Sequence, residues 1–282
     1  MSMRIRLLKT PIAKCMKPAL LAFVIFCPAA ATVISQPAAS ASTFLDLVNA
    51  RAARSNHSTT IAVSKLDCNV ETDPLARRVL IEYGAILAAA DSVVVPPKCI
   101  FRNSDEVVSF HLTVKQTSIV LSGVRVELQQ AAAASLERVQ AEAAARGLRI
   151  VPLDGPVAAK RTYADTVRLW NSRFFPALRF WELAGTISET ESTEVRNMPL
   201  AEQARKVMEL EARGYNFGTG RMKSIFISTA PPGTSQHIAM LALDVIDYNN
   251  SGLRALFNDQ GWFQTIVGDP AHFTFLGIPE TE

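Results

Sequence analysis

Apolar and polar positions alternate along this chain in rhythms that predict a mixed α+β protein. Behind Asp73-Pro74, an N-cap followed by proline at the first helical position, Leu75, Val79, Ile81 and Ile86 form an apolar stripe. That pattern predicts a helix from Pro74 to about Ala90, closed off by Pro96-Pro97. Residues 106–126 read as β structure, with Ser122-Gly123 as a hairpin turn between two β-branched runs. Leu128, Ala132, Leu136, Val139 and Ala143 then recur at helical spacing, with Gly147 as the stop. Leu148 to Leu153 predicts a short strand. A helix opening at Arg161-Thr162-Tyr163 is expected to be interrupted by Pro176, and the polar run Ser188 to Asn197 to be a surface insertion or mobile lid. A helix from Pro199 to Gly214 follows, then an apolar strand from Met222 to Thr229 and another from Ala239 to Ile246. A helix over 252–260 and strands over 262–267 and 272–276 complete the pattern. The class is α+β, a small, mostly antiparallel sheet flanked by helices, with no internal repeat.

Composition changes this picture at one end. Arg4, Arg6, Lys9, Lys14 and Lys17 precede an apolar stretch from Ala19 to Ala31 that is short for a membrane span. Ala39-Ser40-Ala41, or the earlier Ala29-Ala30-Ala31, supplies small residues for cleavage, so residues 1–41 read as a signal peptide. The alternative is an uncleaved anchor. Without those five bases the chain keeps 24 Lys+Arg against 26 Asp+Glu, and the formal charge of +3 becomes about −2. The basic character belongs to the export segment and gives no ground for nucleic-acid binding. The expected mature protein is exported to the periplasm or cell envelope, spans no membrane and is monomeric. Of four cysteines, Cys68 and Cys99 survive cleavage. In an exported chain two cysteines invite a disulfide worth on the order of 3 kcal/mol, although two separately buried thiols satisfy the same sequence.

The candidate chemistry is concentrated near the C-terminus. Pro231-Pro232-Gly233-Thr234-Ser235-Gln236-His237 runs into Ala242-Leu243-Asp244, and Asp269-Pro270-Ala271-His272-Phe273 answers it. Two imidazoles and a carboxylate, His237, Asp244 and His272, make a three-ligand set for a zinc that keeps its fourth position for water. His237 and Asp244 are seven residues apart. A straight strand would send them to opposite faces, and two helical turns would separate them by roughly 10 Å. To share a metal, His237 must lie in the Pro/Gly loop and Asp244 on the strand after it.

These motifs resemble the zinc D-alanyl-D-alanine carboxypeptidases and dipeptidases of the VanY/VanX type. The likeness lies in Ser-x-His, six intervening residues, Asp, and a late acid-Pro-x-His-Phe, and it extends over roughly residues 128–276. It implies zinc on His237, Asp244 and His272, at the sheet edge. It makes Asp269, standing where the family has Glu, the general base. Met240 stands where the family carries Gly. An Arg-Ser-Tyr-like element precedes the metal motif in that family and matches Arg161-Thr162-Tyr163, which implies that Arg161 grips the substrate. Ser235 would hold its terminal carboxylate. A guanidinium suits either an acyl oxygen or a carboxylate because it offers two parallel donors. On the residues alone, Arg161 equally caps a helix or faces solvent, and Ser235 equally bonds its own loop.

The expected organisation is a signal peptide over 1–41, an N-terminal helix-and-hairpin region over 42–127, and a zinc peptidase-like domain over 128–282. The expected partner is a peptidoglycan stem peptide ending in D-Ala-D-Ala. Two alternatives stand beside the carboxypeptidase: a dipeptidase or endopeptidase of the same chemistry, and a catalytically weak zinc module that binds wall peptide. Other hydrolytic routes lack their residues, since there is no Ser-x-x-Lys, His-Glu-x-x-His or Gly-x-Ser-x-Gly. His111 in an apolar setting reads as structural and His57 as part of an exposed loop. Trp170, Phe174, Phe175, Phe180 and Trp181 read as core aromatics rather than a sugar-stacking platform.

Overall fold

Helix α1 (Pro74–Tyr83) begins where the sequence places it, because the Asp73 carboxylate accepts from the Leu75 amide at 3.0 Å and Pro74 follows. It stops at Gly84, and a 3₁₀ segment (Gly84–Ala88) carries the chain on. This computed structural model describes residues 66–278; the stretch 1–41 read as a signal peptide, and His57, lie outside the described residues. Among the described residues no helix is long and apolar enough to cross a membrane.

Helix α2 (Ser104–Leu112) occupies a stretch that the pattern assigns to β structure. Its cause is local. Asn103 accepts from the Glu106 amide at 2.9 Å, and Glu106 reaches back to the Arg102 amide at 2.8 Å. That reciprocal cap, with two acids in the first turn, outweighs the β-branched residues inside. The hairpin of β1 (Gln116–Leu121) and β2 (Val124–Gln129) turns at Ser122-Gly123 as expected and feeds directly into α3 (Gln130–Ala145). Residues 148–153 form no strand. Leu153 donates to the Asp244 carbonyl and Ile246 to that of Val151, giving one isolated bridge at Pro152, which has no amide to extend it.

Helix α4 (Tyr163–Leu183) runs straight through Pro176 instead of breaking there. Pro176 lies on the exposed face, so the carbonyl it leaves without a donor can turn to water. The run read as an insertion or lid is α5 (Glu189–Asn197), capped by Ser188 and anchored by buried Val195 and Ser192. Helix α6 (Leu200–Ala212) follows. The expected strand over 222–229 is instead a single turn, α7 (Ile225–Ser228), capped by Ser224. Next come β3 (Ala242–Asp244), α8 (Ser251–Asp259), β4 (Trp262–Phe263) and β5 (His272–Phe275), with β3 and β4 both antiparallel to β5 in the order β3-β5-β4. The described residues are therefore helix-rich α+β, with two small antiparallel sheets among them where one was expected.

Two apolar cores form around these elements. One gathers the hairpin, α3, α8 and the three-stranded sheet; the other gathers α4, α6 and the aromatics Phe217 and Phe226. Helix α1 serves both, with Leu75, Val79 and Tyr83 in the helical core and Ala76 and Leu80 in the sheet core. The aromatic run divides as well. Trp170 and Phe174 are fully buried, whereas Phe175 and Phe180 are exposed. Cys68 and Cys99 stand at disulfide distance, with Cα atoms 5.2 Å apart and a sequence separation of 31. A loop of that length corresponds to about 3–4 kcal/mol on the chain-entropy account.

Candidate metal centre

The loop ahead of His237 is held from both sides. Gly233 has φ +79, and a Cβ there would stand 1.9 Å from the Phe101 carbonyl oxygen. Only glycine allows that approach, which brings the Phe101 amide to the Gly233 carbonyl at 2.9 Å. The Gly233 amide in turn donates to Thr166 Oγ1 on α4. A 3₁₀ turn (Gln236–Ala239) then carries His237, just past the loop in which it was expected. The chain reverses at Met240, which is fully buried and left-handed at φ +55. Where the resembling family has Gly, this chain thus keeps the backbone that Gly favours but carries a buried side chain. Gln129, at the end of β2, donates to the Ala239 carbonyl through Nε2 and to that of Met240 through its amide, fixing this reversal. His111 Nε2 lies 2.8 Å from the Ile238 carbonyl, a structural contact as expected, though on a helix.

Strand β3 ends on Asp244 and β5 begins on His272, and the two are direct cross-strand partners. Opposed residues in an antiparallel pair share a face, so positions 28 apart in sequence meet without strain. His237 comes in from the turn. His272 Nδ1 is 2.9 Å from Asp244 Oδ1, His237 Nε2 is 3.2 Å from Asp244 Oδ2, and the two ring nitrogens are 3.1 Å apart. Four ligands at about 2.0 Å around a tetrahedral zinc stand roughly 3.3 Å from one another. The three donors are already near that spacing, and all three residues are buried.

Protonation suits a cation as well. Burial, and then the Arg161 charge, push the His237 pKa down to about 4 against the pull of Asp244. The ring is therefore neutral at neutral pH, the form that coordinates a metal. Burial works to raise the Asp244 pKa, but its close contacts with His237, and then with His272, outweigh it and hold the carboxyl well below the usual range. Arg161 adds a fixed positive charge, with Nη2 2.7 Å from Asp244 Oδ2. His237 Nδ1 is buried and has no hydrogen-bond partner, which leaves Nε2 as the nitrogen that meets the other donors.

The remaining expected site residues fall at different distances from this group. Arg161 is brought into it. Its Nε donates to the Val157 carbonyl and its amide to that of His237, so its guanidinium is aimed at Asp244. Asp269 opens the turn into β5, where its carbonyl accepts from the His272 amide at 3.2 Å. Burial raises its carboxyl pKa above the ordinary value; the Asp244 charge adds to this, while His272 and Arg161 act against it. Ser235 instead lines a cleft with Tyr83, Lys98, Phe101 and Thr234, and none of the three candidate ligands lines that cleft.

Two residues that the motif reading passes over belong here. Gln236 is buried between Ser235 and His237, with Oε1 2.8 Å from His272 Nε2. Thr274 donates its hydroxyl to the same oxygen at 2.5 Å. Both had a signal in the sequence. Thr274 is two residues after His272, hence on the same face of a strand, and Gln236 is the one amide inside the Ser-x-His motif.

No protein-family profile matches the chain, and no curated protein sequence matches it. Among solved structures, one that resembles it is a point mutant of the vancomycin-resistance D,D-pentapeptidase VanY from a VanB-type cassette, in complex with Zn(II). The TM-score is 0.36 at 16% identity, over 66% of this chain and 87% of that one. A likeness that distant leaves the function to be read from the site itself.

Proposed function

We propose that this chain is an exported zinc metallopeptidase that removes the terminal D-alanine from peptidoglycan stem peptides. The convergence of His237 Nε2, His272 Nδ1 and the Asp244 carboxylate within 3.2 Å of one another carries the reading. A zinc bound there would supply Lewis acidity toward water and the scissile carbonyl. Asp269 takes a proton from the attacking water and returns it to the departing amine, a task that a carboxyl with a raised pKa is suited to. Having one methylene fewer than Glu, it must stand closer to the reacting atoms or act through a bridging water. Arg161 orients the Asp244 carboxylate and directs positive charge toward the substrate's acyl oxygen or terminal carboxylate. Ser235 holds that carboxylate from the neighbouring cleft.

One observation favours a second reading. Arg161 is already engaged on Asp244, and Ser235 faces a cleft lined by none of the ligands, an arrangement that also serves a zinc module binding wall peptide without cutting it. One experiment separates the two. Purified protein of confirmed zinc content is incubated with a stem pentapeptide ending in D-Ala-D-Ala, and released D-alanine is measured. Release that stops on chelation and returns with zinc supports the peptidase. Binding without release between pH 6 and 9 supports the module, and a protein that holds no zinc removes both.

A further inference from the structure

The environment of His272 specifies which of its nitrogens carries a proton, and the residue that specifies it is Gln236. The side-chain amide of Gln236 has one orientation open to it. Its Nε2 lies 2.8 Å from the main-chain carbonyl of Tyr83, which can only accept, so the nitrogen must face Tyr83 and Oε1 must face the other way. Exchanging the two atoms would set oxygen against oxygen at that distance. With the amide so fixed, Oε1 receives two contacts, the Thr274 hydroxyl at 2.5 Å and His272 Nε2 at 2.8 Å. An imidazole nitrogen that close to an amide oxygen must carry hydrogen, because two lone pairs would otherwise oppose each other in a fully buried site. Thr274 Oγ1, having given its proton to Gln236, accepts in turn from Thr265 Oγ1 at 2.6 Å. Each contact in this chain from Tyr83 to Thr265 pairs a donor with an acceptor.

We infer that Gln236 is a positioning residue that holds a proton on His272 Nε2 and thereby leaves Nδ1, which faces Asp244 and His237, as the nitrogen that a zinc shared with them would take. The inference rests on the metal-centre reading above, and it gives the amino-terminal half of the described chain a part in the site, through the Tyr83 carbonyl at the end of α1. Without Gln236 the ring proton has a competing place, on Nδ1 and donated to Asp244 Oδ1 at 2.9 Å. That tautomer removes one of the three donors. Partners of this kind around a ligating histidine typically change metal affinity by about 10–100-fold when removed.

The test compares full-length mature protein with Gln236→Leu, which removes the acceptor, and Gln236→Glu, which keeps an oxygen for His272 but loses the donor to Tyr83. Zinc affinity is measured by chelator competition, and ¹⁵N imidazole signals of His272 are recorded with and without zinc. Wild-type protein should show His272 protonated at Nε2 in both states. Gln236→Leu should weaken zinc binding about 10–100-fold and lose the Nε2–H signal in the metal-free form. Gln236→Glu should keep that signal and most of the affinity while melting at a lower temperature. If Gln236→Leu does not fold, the wild-type and Glu signals decide the matter. A wild-type ring protonated only at Nδ1 overturns the inference, as does a folded Leu variant binding zinc within threefold of wild type. A wild-type protein that shows Nε2–H but binds no zinc overturns the metallopeptidase reading and leaves the tautomer assignment standing.

Discussion

The helical core and the polar cluster where β3 meets β5 are held by opposite means. Around α4 and α6 the interior is a stack of rings, Trp170 on Phe174 and Phe174 on Phe217, with centroids 6.3 and 5.9 Å apart. Its main polar insertion is self-contained. Gln203 accepts from Trp170 Nε1 and donates to the Val195 carbonyl, which closes the α4–α5–α6 contact. Where β3 meets β5 the interior instead holds a carboxylate, two imidazoles and an amide, and two of their partners come from distant segments: Arg161 and Tyr83. Burying such groups is costly unless each is paired, and breaking a buried pair leaves an uncompensated charge. On the proposed function, stability rests on the rings and chemistry on the polar cluster. Substitutions in one region should therefore leave the other's observable unchanged.

The largest effect is expected from His272→Ala. It removes one of three donors and frees Gln236 Oε1, so elemental analysis should find about one zinc per wild-type chain and none in the variant. Undiminished zinc in the variant would mean that the metal, if any, sits elsewhere. Asp269→Asn should come next. It leaves all three donors in place, so zinc content should hold while kcat falls roughly 10²–10⁴-fold, the range for a lost general base. Asp269→Glu should be tolerated. An Asn variant with full turnover would remove Asp269 from the reaction.

How much of this was legible in the sequence depended on how local the cause is. His237, Asp244 and His272 were readable because donor type and order suffice to nominate them, and strand pairing then has only to bring 244 opposite 272. The Ser122-Gly123 turn and the Asp73-Pro74 cap are equally local. The α2 helix was also readable in principle, since Asn103 and Glu106 form a cap signature, but Val107, Val108 and Phe110 draw the eye toward a strand. Pro176 misled for a tertiary reason, because whether it breaks a helix depends on which face meets water. The Met222–Thr229 run failed likewise. Ile225 and Phe226 are buried by one helical turn against the aromatic core while Met222 is exposed, and periodicity over so few residues does not separate the two. Gln236 was legible only as an amide beside a ligand. Its role depends on a carbonyl 153 residues away.

Phe174→Ala tests the comparison from the other side. The ring is fully buried between Trp170 and Phe217, so its removal should cost about 3–5 kcal/mol of unfolding free energy, measured by denaturant titration. Zinc per folded molecule and kcat should remain at wild-type values below the new transition. A Phe174→Ala protein that is still folded yet loses zinc would show that the two cores are coupled, and the division drawn here would fail.

The smallest expected effect lies at the start of α1, the helix both cores share. Asp73 caps it and pairs with Arg205 of α6 through two contacts, Nε to Oδ1 at 3.0 Å and Nη2 to Oδ2 at 2.6 Å. The hydrogen bond from Arg205 is the chief reason that the Asp73 pKa lies below its ordinary value of 3.8, with burial opposing it. A carboxyl whose folded-state pKa is depressed binds fewer protons when folded than when unfolded. Its contribution is complete above the unfolded value and is lost as pH falls through the folded one. Asp73→Asn keeps a capping oxygen and removes the charge, so it isolates this effect. Partial exposure of both partners limits the effect to about 1 kcal/mol or less. The stability gap between wild type and variant should be constant from pH 5 to 7 and should close below about pH 3.8. Salt should shrink it as well. A gap that instead widened on acidification would mean that the carboxyl is stabilised in its protonated form, and that the Arg205 contact does not join α1 to α6 as drawn.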